Sequence, residues 1–432
     1  MNLPIAYDMT RLITRVLNVT PNGIDRVDFA FAGHFVEVGA ADRRGMMMTA
    51  LGPRLFTAEA SRAAIDGIGV HWGEDRMPAE DPGYLRVVGE LTGASESEVR
   101  PPSASRPRIA HGRTGRVAGI LRWLGEYGPP IGLSPKKHLP YAARYINVSQ
   151  FPLWIPSYFE WMESRPDIKA VFFIHDLLPL EMPEYFPAAE YERHKKRLVN
   201  LARFGSAAIV TTEVVKSALA EHLGKLGRAD MPICVAPMPT SPIFAGERQV
   251  DVALRNIPYF VVCSTIEPRK NHLMLLHVWR ELVRRYGDEA PKLVIVGNRG
   301  WKYESVVAML EHCPAITKNV VEVCGLTTPA LKRLVDGSCA LLMPSFAEGY
   351  GLPVREALMA DVPVIASDIP AFREIRDERL TLLSPINGEA WLDTIRVFAG
   401  GHLSRSTISA PRAKPETWTN YFDKIDAFVS GI

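Results

Sequence analysis

Cysteine is scarce in this sequence: five among 432 residues, an odd number, with no CxxC pair. Cys234, Cys263, Cys313, Cys324 and Cys339 do not suggest a disulfide framework. Several fall in apolar runs, which predicts buried free thiols in a reducing compartment. No Cys/His cluster has zinc-like spacing, and no DxD occurs. No GxGxxG follows a strand, which disfavours a nicotinamide-dependent oxidoreductase. No apolar run approaches the roughly 20 residues of a membrane span. The opening MNLPIAYDMTRLI lacks a basic head followed by a long apolar stretch, so no signal peptide is expected. Net charge is also small, +2, and makes no case for a nucleic-acid partner. A cytoplasmic protein is expected.

What is abundant is apolar residue in short runs. Hydrophobic content is 47% and charged content 23%, as in a globular protein with a sizeable core. At roughly 100–200 residues per domain the length predicts two domains or three. In the second half, PYFVVCST (258–265), KLVIVG (292–297), VVEVCG (320–325), CALLMPS (339–345) and VPVIAS (362–367) read as buried strands. Between them, residues 271–286, PALKRLVDGS and PVREALMA read as helices, the last with Pro353 near its first position. This alternation predicts an α/β fold with a doubly wound parallel sheet. The first half repeats the pattern more loosely, with strands at 144–151, 169–179 and 206–212 and a helix at 190–204. Residues 241–256 read as the linker.

Residues 93–140 stand apart, rich in Pro, Gly, Ser and Arg. Eight Lys/Arg face one acid, Glu126, between Arg100 and Lys137. Val117, Ile120, Leu121 and Leu124 share helical spacing beside Arg113, Arg116 and Arg122. A basic amphipathic helix of this kind can lie on an anionic membrane; a solvated loop with one short packed helix is the other reading. The expected division is a first domain over 1–245 carrying this insert, a second over 246–412, and a final helix over 413–432. That helix presents Trp418, Tyr421, Phe422, Ile425, Phe428 and Val429 at helical spacing, an aromatic face to be buried on the first domain.

Chemistry concentrates in residues 344–356, PSFAEGYGLPVRE. A strand ends at Ser345, a loop runs Phe346 to Leu352, and a helix follows. Ligands of open α/β sheets bind beyond the carboxyl ends of strands. Gly349 and Gly351 allow close backbone approach, and a helix start attracts phosphate. Glu348 and Glu356 would repel an anion unless they accept hydrogen bonds from neutral hydroxyls, such as those of a sugar and a ribose. STIEPRKNH places Arg269 and Lys270 at another strand end, where two cations can neutralise a diphosphate. Together these point to a nucleotide sugar.

STIEPRKNH, VGNRGW, CGLTTPALKRLV, MPSFAEGYGLPVREAL and VPVIASDIPAFREI, in this order, resemble the donor half of the family-4 retaining glycosyltransferases of the GT-B fold. The match covers about 258–376. NGIDRVDFAFA (22–32) is similar to that family's N-terminal glycine loop, and FFIHDLLPL (172–180) to its strand-end histidine. The resemblance implies two doubly wound Rossmann-like domains facing a cleft. It implies Glu356 on the donor ribose, Glu348 on donor-sugar hydroxyls, and Arg269 and Lys270 on the diphosphate. Gly349, Tyr350, Gly351 and Leu352 would add backbone N–H groups, Leu326 would sit near the base, and His175 would reach toward the reacting sugar. Gly23 and Ile24 would border the phosphates and acceptor, although Asn22 stands where a second glycine is common.

The expected activity is metal-independent, retaining transfer of a hexose to a glycan or glycolipid acceptor in surface polysaccharide synthesis. No separate cofactor is expected; the donor is a nucleotide-diphosphate sugar, with GDP-mannose as the first assignment. The expected place of work extends from the cytoplasm to the inner face of the cytoplasmic membrane. The alternatives are a phosphorylase or epimerase of the same fold, and a non-catalytic nucleotide-sugar-binding subunit of a polysaccharide assembly complex.

Overall fold

The computed structural model describes residues 3–15, 23–36, 42–49, 52–72, 77–94, 125, 132–400 and 416–432. The chain forms two compact units, Met1–Gly73 with Arg108–Met238 and Glu416–Ile432, and Glu74–Pro107 with Pro239–Pro415.

The first unit is built on a seven-stranded sheet of order β3-β2-β1-β4-β5-β6-β7. Its strands are β1 Ile5–Asp8, β2 Arg43–Thr49, β3 Gly52–Leu55, β4 Arg144–Asn147, β5 Lys169–Phe173, β6 Ala207–Val210 and β7 Ile233–Val235. All neighbours pair in parallel except β2 and β3. The helix Ala188–Phe204 buries Leu198, Leu201 and Phe204, one apolar stripe of an otherwise polar helix.

The C-terminal helix Trp418–Ser430 packs in this unit. Thr417 caps it by accepting from Asn420 N. Phe422 stacks on His34 at 4.0 Å and meets Phe31 edge-on at 5.2 Å. Arg144 of β4 fixes the helix end, donating to the carbonyls of Val429 and Ile432.

The second unit carries a six-stranded, all-parallel sheet of order β10-β9-β8-β11-β12-β13. Its strands are β8 Tyr259–Cys263, β9 Lys292–Val296, β10 Val320–Val323, β11 Leu341–Met343, β12 Val364–Ser367 and β13 Leu380–Leu383. Both faces are covered. Tyr259, Val261, Val294 and Val296 enter one apolar cluster. Their alternates Phe260, Val262, Leu293 and Ile295 enter another. That period-2 division is why these strands read as continuous apolar runs.

Two boundaries differ from the sequence reading. The helix Pro82–Thr92, expected in the first domain, belongs to the second unit: Tyr84, Val87 and Leu91 enter the core around β10. Asp81 caps that helix through Gly83 N and Tyr84 N, and its other oxygen accepts from Thr327 N at 2.8 Å. The segment read as a linker, 241–256, is packed as well. Phe244 and Leu254 are fully buried, and Lys332 donates to Glu247 O at 2.9 Å. All five cysteines are free, but only Cys339 is buried; the others are half-exposed. Most of the basic amphipathic segment, including Val117 to Leu124, lies outside the described residues. No described helix is long and apolar enough to cross a membrane.

Candidate functional site

β8 and β11 are adjacent and parallel, with Leu341 opposite Val261. Their carboxyl-end loops therefore leave the same edge of the second sheet. The first loop makes one 3-10 turn, Pro268–Lys270, before the helix His272–Tyr286. The second runs through Glu348 to the helix Leu352–Met359. Two contacts tie the loops together, and a third, to Pro385, adds the segment after β13. Phe346 N donates to Arg269 O at 2.8 Å, and Asn271 Nδ2 donates to Pro344 O and Pro385 O at 3.1 and 2.9 Å. Asn271 takes φ +57°, a left-handed conformation that asparagine tolerates better than most residues.

This framework brings Glu348, Arg269 and Lys270 into contact. Glu348 Oε1 accepts from Lys270 Nζ at 2.5 Å and from Ser345 Oγ at 2.7 Å. Glu348 Oε2 accepts from Arg269 Nη1 at 2.9 Å. Arg269 also donates to Ala347 O and, through Nη2, to Glu267. The Glu348 side chain is 7% exposed, and the two cations 12% each. Burial acts to raise the Glu348 pKa, but Lys270 and Arg269 outweigh it and hold the carboxyl at about 2. Glu348 is thus an ionised acceptor, and with three donors bound it keeps lone-pair capacity for one more hydroxyl. Burial pushes Lys270 below the usual lysine range despite that carboxylate. Glu267, 3% exposed, is raised by its own burial.

Gly351 caps the helix Leu352–Met359 at φ +80°. A Cβ there would lie 2.3 Å from the Phe372 ring, so glycine answers both the backbone angle and the space. The helix start offers fewer donors than the sequence suggests. Pro353 has no N–H, and Val354 N already bonds Gly351 O. In that first turn Leu352 supplies the open amide. Glu356 is buried, 8% exposed, on the same helix. Tyr350 is buried under the Arg355 guanidinium, 4.2 Å from its ring centre. Gly349 is buried in the loop between Glu348 and Tyr350. Leu326 is 6% exposed in the core beside Gly83.

Sequence reasoning missed Ser345, Glu267 and Asn271 as organisers of this site. All three lie inside or beside the two quoted motifs, but their roles depend on which loop faces which.

The remaining predicted residues lie in the first unit. His175 follows β5, and its Nε2 donates to Val148 O at 2.9 Å, which leaves Nδ1 as the acceptor. Burial pushes its pKa down to about 4, so the ring is neutral at pH 7. Asp176 accepts from Leu178 N, as a local cap does. Gly23 and Ile24 open the helix Gly23–Phe35; Gly23 is exposed. The next residue, Asp25, is buried between Arg11 and Arg15.

Residues 257–399 match the model for Glycosyl transferases group 1. This stretch is similar to the glycosyl transferases group 1 domains. It contains Arg269, Lys270, Glu348 and Glu356, so the resemblance to family-4 glycosyltransferases holds on the residues that carried it. The chain is 30% identical over 289 residues to the serotype-specific mannosyltransferase WbdA of Escherichia coli, covering 61% of this chain and 33% of the relative. It is 26% identical over 140 residues to the O-antigen chain mannosyltransferase RfbU of Salmonella typhimurium, covering 32% and 37%. The chain thus spans about a third of the length of these curated relatives. HepE from Anabaena, solved with UDP and glucose, superposes over all of both chains with a TM-score of 0.58 at 14% identity. At that identity the likeness shows the fold, GT-B, built from two Rossmann-like domains.

Proposed function

We propose that this protein is a retaining glycosyltransferase that moves mannose from GDP-mannose to a glycan or lipid-linked saccharide in surface polysaccharide synthesis. The observation that carries the reading is Glu348, held ionised between Arg269 and Lys270 with acceptor capacity to spare. A carboxylate in that state cannot donate a proton; it can orient a sugar hydroxyl. The adjacent cations supply charge for a diphosphate leaving group, the task a divalent ion performs in metal-dependent transferases. Glu356 takes the ribose hydroxyls. Leu352 N–H and the Gly349–Gly351 backbone line the phosphate path.

Retention follows from attack on the face the nucleotide leaves. The acceptor oxygen bonds to the anomeric carbon as the bond from that carbon to phosphate oxygen breaks. The acceptor proton passes to the departing phosphate, so no enzyme carboxylate need become covalently glycosylated. His175, neutral with Nδ1 as acceptor, suits a hydrogen bond from a sugar hydroxyl. The mannose assignment is supported by the two mannosyltransferases similar to this chain. A cytoplasmic site of action, at the inner face of the membrane, fits a nucleotide-sugar donor and the basic residues between 100 and 137.

Thermal shift with GDP-, UDP- and dTDP-sugars tests the donor. At 100 times its dissociation constant a ligand stabilises by about 2.7 kcal/mol. A shift with a UDP- or dTDP-sugar and none with GDP-mannose would overturn the donor assignment. Binding without transfer to any saccharide, and without slow hydrolysis of the donor, would favour the non-catalytic subunit.

A further inference from the structure

The loop after β4 carries the carbonyl that holds His175, and one buried side chain shapes that loop. Asn147 is the last residue of β4 and is fully buried. Its Nδ2 donates to Asp8 Oδ2, at the end of β1, and to Phe151 O, both at 3.0 Å. Its Oδ1 accepts from Gln150 N at 2.9 Å. These partners fix which way the amide faces, because Gln150 N only donates and Phe151 O only accepts. Asp8 is itself anchored, accepting from the Tyr145 hydroxyl and from Thr10 N. Gln150 takes φ +58°, a left-handed conformation uncommon for glutamine, and Asn147 meets its amide there. Farther along, Asn200 Nδ2 donates to Leu153 O at 2.7 Å, so the loop is pinned at both ends.

Val148 lies between the end of β4 and that turn, fully buried. Its carbonyl accepts from His175 Nε2 at 2.9 Å. β4 and β5 are parallel neighbours, with Asn147 opposite Phe172, so Val148 and His175 leave the same edge of the sheet. Burial keeps the His175 ring neutral, with one proton for two nitrogens. A carbonyl only accepts, so that proton sits on Nε2 wherever the Val148 contact holds. Phe173 packs on the ring at 4.6 Å and restrains its plane without choosing a nitrogen. A carboxylate in place of the carbonyl would also select a tautomer, but it would draw the ring toward its charged form.

We propose that Asn147 is a positioning residue that keeps the His175 proton on Nε2, acting through the Val148 carbonyl, and so reserves Nδ1 as the ring's hydrogen-bond acceptor. Asn147 itself touches no substrate in this scheme. The positioning stands on the hydrogen bonds of the first unit; its service to sugar transfer rests on the glycosyltransferase reading above.

The test is histidine-selective nitrogen NMR of the full, isotope-labelled chain at pH 7, where the two neutral tautomers give distinct shifts. His175→Gln identifies the His175 signals by their loss. The parental chain is expected to show one tautomer, protonated on Nε2. Asn147→Ala converts this to a mixture in protein that remains folded by circular dichroism. Asn147→Ser keeps a hydroxyl for Gln150 N, a weaker form of the same turn, and falls between. A mixture already present in the parental chain overturns the proposal without any variant, as does a single unchanged tautomer in folded Asn147→Ala. Kinetics give the second readout. Asn147→Ala lowers kcat about tenfold or more, the cost of a misplaced reacting group, with donor KM little changed. In a His175→Gln background the same substitution costs almost nothing further. Equal losses in both backgrounds mean that Asn147 acts on the fold and not through His175, and overturn the proposal. A parental chain that transfers no sugar removes the glycosyltransferase reading and leaves the NMR result to decide the positioning.

Discussion

The Lys270 ammonium lies 2.5 Å from the Glu348 carboxylate, across two loops 78 residues apart in sequence. Each residue holds the other in its charged form at a place where burial opposes both charges. The pair is therefore ready before any ligand arrives. Removing a preorganised donor to a developing oxyanion typically costs on the order of 100- to 1000-fold in rate. Lys270→Ala is expected to lower kcat in that range, measured as release of nucleoside diphosphate. Near-normal turnover would remove Lys270 from the leaving-group role.

Gly351 leaves no room for a side chain. Gly351→Ala must adopt φ +80° and displace the Phe372 ring from 2.3 Å. Backbone strain alone amounts to about 1–3 kcal/mol. Urea unfolding should show at least that loss, with donor affinity falling at least tenfold as the loop shifts. Adding Phe372→Ala restores space but not the angle, so it should not return donor affinity to the parental value.

The sign of the pH dependence follows from His272. Burial, reinforced by the Lys270 charge, lowers its pKa to about 3. In the unfolded chain a histidine titrates near 6.5. Between these values the unfolded chain binds a proton that the folded one refuses. Stability on this account is flat above about pH 6.5 and declines as pH falls toward 3. His272→Gln should flatten the fall in urea midpoint between pH 6.5 and 4.5. An unchanged slope would assign it to other groups, His175 first, since that ring is lowered to about 4.

Phe422 anchors the final helix. It is 8% exposed and meets His34, Phe31 and Phe35. Phe422→Ala should cost about 3–5 kcal/mol, the usual range for a buried phenylalanine. The loss should appear in the unfolding of the first unit and leave donor binding by thermal shift in place. A change under 1 kcal/mol would mean the helix is held by Arg144 and its carbonyl contacts instead.

The second unit was legible because its strands are buried on both faces and alternate with amphipathic helices. The first unit hid its strands behind polar residues. β1 ends in Asp8, fully buried yet satisfied by Thr10, Tyr145 and Asn147. β2 begins with two arginines, and β3 contains Pro53, tolerable because it lies at the sheet edge. Motif spacing singled out Glu348, Arg269 and Lys270 but not that they ion-pair. That required knowing β8 and β11 are neighbours, which strand order along the chain does not state.

The helices Pro82–Thr92 and Trp418–Ser430 each pack in the unit that the surrounding stretch of chain does not build. Neither unit can therefore be obtained with a single cut. On the ribosome, the apolar faces of His34, Phe31 and Phe35 stay uncovered until residues 418–430 have emerged. Fragments ending before Trp418 are therefore expected to be less soluble than the full chain, because they leave that aromatic face bare.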